Sequence, residues 1–287
     1  FQLYNIISFY FALKTILLYT FMKKIITLIL SIAILSGCTS KFAKIQKSKD
    51  YQYKLKMAEQ YYSSKNYNYA QILFEEVFPY IKGTASFEEV YYKFAYCSYY
   101  EKDYLNSENL FKTFVETFPN STKAEECEYM RSFSYYKQSP KVELDQTNTN
   151  KTINLMQAFI NTHPTSPRVK DAMLIMDKCR EKLEAKEYKS AQLYYDLGFY
   201  KAAAISFSSV SDNFPDSKKS DEYKLLVIKS YYKYAEMSIQ EKQLERYEKV
   251  LAECSEFIER FKDSKFVAEA ETYKNLSNNF IKTLKHE

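Results

Sequence analysis

The sequence predicts an all-α fold, a right-handed superhelix of about five stacked helix pairs. One observation behind this is a pattern that recurs at the ends of apolar helical segments: an aromatic residue or histidine, a proline, a polar residue and a serine. Each copy breaks one helix and offers residues that cap the next, so the unit is helix, turn, helix, stop. A second observation is that only three of the 287 residues are glycine, which disfavours tight β-turns and phosphate-binding loops. The copies lie at 114–121, 159–166, 210–217 and 257–264, the last with Lys262 in place of proline.

Small and aromatic residues inside the units match the tetratricopeptide pattern. Small residues let the two helices of a unit approach closely, and aromatic rings fill the space between units. The third unit is lengthened by a polar loop from Pro140 to Asn150, and the first helix of the fifth unit is predicted to continue from Lys233 to Glu248. The pattern positions are Ala58, Tyr61, Tyr67, Ala70 and Phe74 in the first unit, Ala95, Tyr104, Ser107, Phe111, Phe114 and Pro119 in the second, and Ala191, Tyr194, Tyr200, Ala203, Phe207, Val210 and Pro215 in the fourth.

Residues 22–37 have the features of a lipoprotein signal peptide. Met22 is followed by two lysines, a short apolar stretch follows, and Leu35-Ser36-Gly37 precede Cys38. These last four residues resemble a bacterial lipobox, in which the cysteine is acylated and becomes the new amino terminus. We expect Cys38 to carry the lipid and 1–21 to be untranslated sequence upstream of the true start. One or two transmembrane helices are the alternative, but 25–35 is short for a span of roughly 20 residues.

A basic segment, 38–49, follows the signal and is predicted to be an acylated tether. It holds four lysines and no acid before Asp50, so it either contacts anionic headgroups or is a solvated linker. The formal charge of +5 falls to +2 without residues 1–37, which disfavours nucleic-acid binding. The lysines are Lys41, Lys44, Lys47 and Lys49.

The sequence contains no catalytic or metal-binding motif, and we expect neither enzyme activity nor a metal. The expected cofactor is none beyond the covalent lipid on Cys38. His163 occupies the place of Phe118 and Phe214 in sister units, so we expect it to pack at a helix end. The cysteines of the body form no CxxC pair and are expected to be small buried residues, namely Cys97, Cys127, Cys179 and Cys254.

The third and fourth units resemble the BamD family, the lipoprotein subunit of the outer-membrane β-barrel assembly machine. The resemblance rests on Asp145-Gln146-Thr147 with the helix that follows, and on the stretch from Arg180 to Glu187. It implies a lipid-anchored protein on the periplasmic face of the outer membrane. The implied partners are a BamA-like barrel subunit, other subunits of the machine and unfolded outer-membrane proteins. Units one to three (50–167) are expected to hold a peptide groove, and units four and five (168–287) to dock on the barrel subunit.

The repeat register places aromatic residues of each first helix in a groove, where they either bind an extended peptide or pack helix on helix. The family resemblance implies that the ligand is the carboxyl-terminal segment of an unfolded outer-membrane protein. The candidate groove residues are Tyr62, Tyr92, Tyr96, Tyr99, Tyr129, Arg131, Phe133, Tyr136 and Lys137, with Lys65 as a further cation. The candidate docking residues are Arg180, Lys182, Lys186 and Glu187.

Two other functions fit the same fold. One is a tetratricopeptide lipoprotein that organises other cell-envelope or peptidoglycan machinery. The other is a glycan-binding surface lipoprotein of the SusD type, which is disfavoured because the chain has no tryptophan to form a sugar platform. The residues after Cys38 lack an early acidic cluster, which favours the inner leaflet of the outer membrane.

Overall fold

A computed structural model describes residues 22–24 and 41–284, so Cys38 lies outside the described residues. The chain forms two compact units, Phe1–Ser134 and Tyr135–Glu287, with the boundary inside a helix. Unit 1 contains α1 (Tyr51–Ser63), α2 (Tyr67–Ile81), α3 (Ser86–Tyr100) and α4 (Tyr104–Thr117), and α5 (Ala124–Gln138) crosses the boundary. Unit 2 contains α6 (Thr147–Thr162), α7 (Val169–Asp196), α8 (Tyr200–Asn213), α9 (Ser220–Glu236), α10 (Gln240–Arg260) and α11 (Val267–Leu284).

The predicted all-α class is confirmed, since the described residues contain helices and turns but no strand. Five helix pairs run from α1/α2 to α9/α10, and α11 packs on α10 and α9. The small residues of the repeat pattern are fully buried, and their size allows the packed helices to approach closely. They include Ala58, Ala70, Ala95, Ser107, Ala191 and Ala203.

The second to fifth pairs close with the same backbone conformation, whereas the first ends at Lys82 with φ −58° and ψ 127°. Phe118, His163 and Phe214 have φ between −124° and −128° and ψ near 60°, and each precedes a proline, which disfavours the α region for the residue before it. Phe261 precedes Lys262 and still adopts φ −119° and ψ 51°. The conformation therefore belongs to the turn and does not require proline. The His163 ring lies 5.2 Å from that of Phe159, as Phe118 lies 5.1 Å from Phe114.

A serine then ties the exit turn back to the first helix of its own pair. The hydroxyls of Ser121 and Ser217 donate to the carboxylates of Glu88 and Glu184, both at 2.6 Å. Ser264 donates to Asp221 at the same distance. Each serine oxygen also accepts from the backbone N–H two residues later, which starts the next helix.

Three pairs share a left-handed residue in the turn between their helices. Gly198 has φ 80°, whereas Lys65 and Lys102 have φ 62° and 63°. In each turn the N–H of the residue after it bonds five residues back, a Schellman arrangement. Glycine adopts this region without the strain that a Cβ imposes, so the two lysines are strained and Gly198 is not.

The predicted continuation of the first helix of the fifth pair from Lys233 to Glu248 is wrong. Helix α9 ends at Glu236 and α10 begins at Gln240, with Ile239 extended at φ −63° and ψ 149°. The break has neither glycine nor proline, and α10 side chains stabilise it. Gln243 donates to the Ser238 carbonyl at 3.1 Å, and the guanidinium of Arg246 lies 3.9 Å from the centre of the Tyr234 ring.

A buried ion cluster joins α9 and α10 in unit 2. Lys224 and Glu253 are each 7 % exposed, and their charged groups lie 2.7 Å apart. Lys249 contacts the other oxygen of Glu253 at 2.7 Å, and Glu256 contacts Lys224 at 2.8 Å. Burial alone would raise the pKa of Glu253, but the two ammonium groups outweigh it and the pKa is lowered. Glu253 therefore stabilises the fold above the ordinary glutamate pKa.

We expect Lys102→Gly to raise the free energy of unfolding by about 0.5–1 kcal/mol. Relief of about 1–2 kcal/mol of strain is partly offset by the greater freedom of glycine in the unfolded chain. Urea titration measures the change. The control Lys102→Ala keeps the strained φ and should be neutral. Gly198→Ala should destabilise by about 1 kcal/mol through φ alone, since an added Cβ there meets no atom. Equal losses for Lys102→Gly and Gly198→Ala would contradict the strain argument.

We expect Glu253→Gln to destabilise the protein by about 3 kcal/mol at pH 7, because it leaves Lys224 buried with one partner fewer. The difference from the parent chain should begin to shrink as pH falls below the ordinary glutamate pKa of about 4.3. It should be lost as pH falls through the lowered pKa of Glu253, where the folded protein itself becomes protonated at this side chain. Thermal unfolding between pH 7 and 3 measures both effects. Glu256→Gln is the matched control, since Glu256 is half-exposed and its loss should cost about 1 kcal/mol or less. A difference that is constant with pH would contradict the assigned role.

Candidate functional site

An aromatic surface runs across the first helices of unit 1. Tyr92, Tyr96 and Tyr99 follow one another at spacings of four and three on α3, which places them on one helix face. The Tyr99 ring lies 6.2 Å from Phe133 on α5, and Phe133 stacks on Tyr129 at 5.8 Å. The structure therefore brings together the six aromatic candidates of unit 1, which are Tyr62, Tyr92, Tyr96, Tyr99, Tyr129 and Phe133.

Tyr62 joins this surface through Tyr67, which is a repeat-pattern position, and Tyr100, which the repeat register did not single out. It contacts Tyr67 at 5.6 Å, and Tyr67 stacks on Tyr100 at 4.4 Å. Tyr100 lies 5.7 Å from Tyr99 and is 44 % exposed. Sequence reasoning missed Tyr100, although its place four residues after Tyr96 could have identified it.

Burial separates the rings into two groups. Tyr96 and Tyr129 are 7 % and 6 % exposed, so they pack in the core. The half-buried rings present one face to solvent while the other packs, and with Tyr100 they form the accessible part of the surface. They are Tyr62, Tyr67, Tyr92, Tyr99 and Phe133.

A carboxylate lies beneath the aromatic surface. Tyr96 and Tyr92 donate their hydroxyls to the two oxygens of Glu126 at 2.7 Å and 3.0 Å. Burial raises the pKa of both tyrosines, and Glu126 raises it further. Both hydroxyls therefore remain protonated donors at neutral pH.

The cations of this surface have acidic partners in unit 1. Lys93 pairs with Glu59 at 2.7 Å and its ammonium lies 6.0 Å from the centre of the Tyr62 ring. Lys123 pairs with Glu89 at 2.7 Å, 5.4 Å from the centre of the Tyr92 ring. Arg131 lies 3.8 Å from Glu108. Lys65 is exposed in the turn after α1.

The last two groove candidates belong to unit 2. Tyr136 and Lys137 lie on α5 beyond the boundary, where Tyr136 is half-buried and Lys137 is exposed.

Two docking candidates hold the polar loop of the third pair. The Lys182 ammonium donates to the Ser139 hydroxyl at 2.6 Å and the Pro140 carbonyl at 3.0 Å. Lys186, one turn later on α7, donates to the Leu144 carbonyl at 2.7 Å. These bonds supply donors to loop carbonyl groups that accept no hydrogen bond within a helix.

Gln146 organises the same loop from inside. It is 5 % exposed, and its amide donates to the carbonyls of Lys141 and Leu144 at 2.8 Å and 2.9 Å. Its carbonyl accepts from the buried Thr149 hydroxyl at 2.6 Å. The loop is therefore an ordered part of unit 2.

The other two docking candidates lie at or near a groove of about 880 Å³ between α7 and the turn after α8. Arg180 lines the groove and is exposed, 3.3 Å from Asp177. Glu187 accepts from the Asn213 amide at 2.9 Å. Glu184 accepts from Tyr223 at 2.5 Å, and burial, then this carboxylate, raises the Tyr223 pKa.

Exposed apolar side chains cluster at two turns of unit 2. Leu197 and Phe199, in the turn between α7 and α8, are each 60 % exposed. Met237 and Ile239, between α9 and α10, are 75 % and 67 % exposed. Apolar side chains exposed on ordered turns are typical of contact surfaces.

Among residues 22–24 and 41–284, no three histidine, cysteine or acidic side chains form a group that could hold a metal ion. Within those residues, no helix has the length and apolarity needed to cross a bilayer.

Comparisons with known proteins extend over both units. Residues 46–243 match the family described as YfiO, outer membrane lipoprotein. Residues 22–39, which include Cys38, match the prokaryotic membrane lipoprotein lipid attachment site.

Two relatives carry the BamD name. The putative outer membrane protein assembly factor BamD of Aquifex aeolicus (strain VF5) is 25 % identical over 79 % of this chain and 72 % of its own length. The outer membrane protein assembly factor BamD of Caulobacter vibrioides is 22 % identical over 41 % of this chain and 39 % of its own. Among solved structures, the TPR2AB domain of yeast Sti1 with a pHSP90 peptide covers 79 % of this chain and 98 % of its own, at 11 % identity and a TM-score of 0.37. The family match includes most of the helices of both units, and the chain belongs to the YfiO (BamD) family of outer membrane lipoproteins.

Proposed function

We propose that this protein is a lipid-anchored scaffold subunit of the outer-membrane β-barrel assembly machine, without enzyme activity. Its anchor is an acylated Cys38, and its body faces the periplasm. The observation that carries the proposal is the family match over 46–243, because it includes both the aromatic surface and the lysine-held loop. The lipid attachment site and the relatives that carry the BamD name agree with it.

The aromatic surface of unit 1 would bind the carboxyl-terminal segment of an unfolded outer-membrane protein. Half-buried tyrosines suit such a ligand, because each ring offers apolar area together with a hydroxyl. Tyr62, Tyr99 and Tyr100 supply the accessible area. Since Glu126 already accepts from two tyrosine hydroxyls, the peptide carboxylate would be received by a cation, and the candidates within unit 1 are Lys65 and Arg131.

The fourth and fifth repeats of the sequence (168–287) would dock on a BamA-like barrel subunit. Arg180 and Glu187 remain candidate contacts, and Lys182 and Lys186 would act by presenting the loop of 139–146. The exposed turns at Leu197 and Phe199 add apolar area to the candidate docking surface. An ordered polar loop and an exposed apolar turn in the same unit fit a partner of mixed surface chemistry.

The docking proposal predicts that Leu197→Ser with Phe199→Ser lowers recovery of a large β-barrel protein at least tenfold. The measurement is a pull-down of the lipidated chain from its native envelope in mild detergent, with partners quantified by mass spectrometry. Leu105→Ser is the control, since it changes an apolar side chain of unit 1 that is 69 % exposed and lies outside the docking candidates. Recovery of peptidoglycan enzymes or a glycan transporter in place of the barrel protein would contradict the assembly role.

The peptide proposal predicts that Tyr99→Ala raises the Kd of a peptide ending in an aromatic residue and a free carboxylate about tenfold, which equals about 1.4 kcal/mol. Fluorescence anisotropy of the labelled peptide measures this. The carboxyl-amidated peptide should bind the parent chain more weakly. Tyr96→Phe is the matched control, because it removes a hydroxyl from beneath the surface and keeps the ring. The Kd should stay within about twofold of the parent value, since the indirect effects of such a substitution are about a few tenths of a kcal/mol. Unchanged binding by Tyr99→Ala would assign Tyr99 to packing alone.

A further inference from the structure

The basic segment before α1 is packed on unit 1. Phe42 and Ile45 are 8 % and 2 % exposed, in a helical stretch that spans 41–46. The Phe42 ring stacks on Tyr69 at 4.2 Å and meets Tyr61 edge-on at 5.9 Å. Gln46 donates to Glu76 on α2 at 3.0 Å. The described part of the predicted tether is therefore a folded element.

This packing limits how far the body can lie from Cys38. Phe42 is four positions after Cys38, and an extended chain spans at most about 3.5 Å per position, or about 14 Å in total. Tyr69 is in ring contact with Phe42, so it lies within roughly 20 Å of Cys38 whatever path the intervening residues take. A flexible tether would impose no such limit on the body.

The outer side of the segment is basic. Its four lysines are exposed, and no acid precedes Asp50 in the mature chain. The acid nearest along this contact, Glu76, already pairs with Lys54 at 2.5 Å and accepts from Gln46. The exposed positive charge of the segment is therefore available to an anionic surface. The lysines are Lys41, Lys44, Lys47 and Lys49.

We propose that unit 1 meets the membrane with the face that carries 41–49, which acts as a rigid strut between the lipid and the body and binds anionic headgroups through its lysines. The proposal rests on the acylation of Cys38 proposed above. It goes beyond anchoring, because it gives unit 1 a defined orientation at the bilayer. The partner is the headgroup layer of anionic phospholipids, which matches four exposed ammonium groups close to an acyl anchor.

Tryptophan fluorescence tests this orientation, because the chain contains no tryptophan. Tyr69→Trp places the probe beside the strut. Leu105→Trp places it on α4, which packs on α3, at a side chain that is 69 % exposed. The full lipidated chain is reconstituted into vesicles containing phosphatidylglycerol and a headgroup-labelled quenching lipid. We expect clear quenching of the probe at 69 and little at 105.

Two further variants separate packing from charge. Phe42→Ala with Ile45→Ala undocks the strut and should abolish quenching at 69 while the helical circular dichroism is retained. Replacing the four lysines with glutamine leaves the fold intact and should reduce quenching at 69, as should vesicles of phosphatidylcholine alone. Reduced quenching should also follow from added salt, which screens the attraction.

Equal quenching at 69 and 105, or quenching at 69 that survives undocking, would overturn the strut. Quenching that does not depend on the lysines or on anionic lipid would overturn headgroup binding. Failure of the anchor itself is distinguishable, since a chain with no acyl mass that does not float with vesicles refutes the lipidation of Cys38 and the orientation together.

Discussion

The turn that closes the second to fifth helix pairs is the constraint on which the rest of the structure depends. An aromatic ring or histidine leaves the helix at φ near −125°. In three of these turns the serine three residues later bonds both the start of the next helix and an acid on the first helix of the pair that has just closed. The two hydrogen bonds made by this one hydroxyl couple the end of a pair to its beginning. Because the same arrangement forms at Phe261 without proline, the serine and the packing of the ring are sufficient to define the turn.

The aromatic surface of unit 1 follows from this repetition. Each closed pair presents its first helix in the same register, so tyrosines at spacings of three and four meet those of the next pair. Burial of Tyr96 against Glu126 gives the surface a firm base, while Tyr99 and Tyr100 remain accessible. Buried and accessible rings thus lie side by side on one helix, which explains why an aromatic stripe alone did not separate packing residues from candidate binding residues.

Lysine side chains take three different roles in this structure. Lys182 and Lys186 bind loop carbonyls, Lys224 and Lys249 enclose Glu253, and the strut lysines stay exposed. The same residue type therefore stabilises a loop, neutralises a buried acid or faces solvent. A long side chain with a flexible stem and three donors can take any of these roles, and its surroundings select among them.

The amino-acid sequence by itself determined the helix pairs, their small-residue contacts, the helix breaks at Pro119, Pro164 and Pro215, and the signal before Cys38. These features depend on side-chain periodicity and on capping by neighbours a few residues away, so they can be recognised locally. Tertiary structure alone decided that Lys182 holds Ser139, 43 residues earlier, that Phe42 packs on Tyr69, and that α9 stops at Glu236. The physical reason is that these choices depend on groups brought together from distant parts of the chain, where burial and the available partner outweigh local preference.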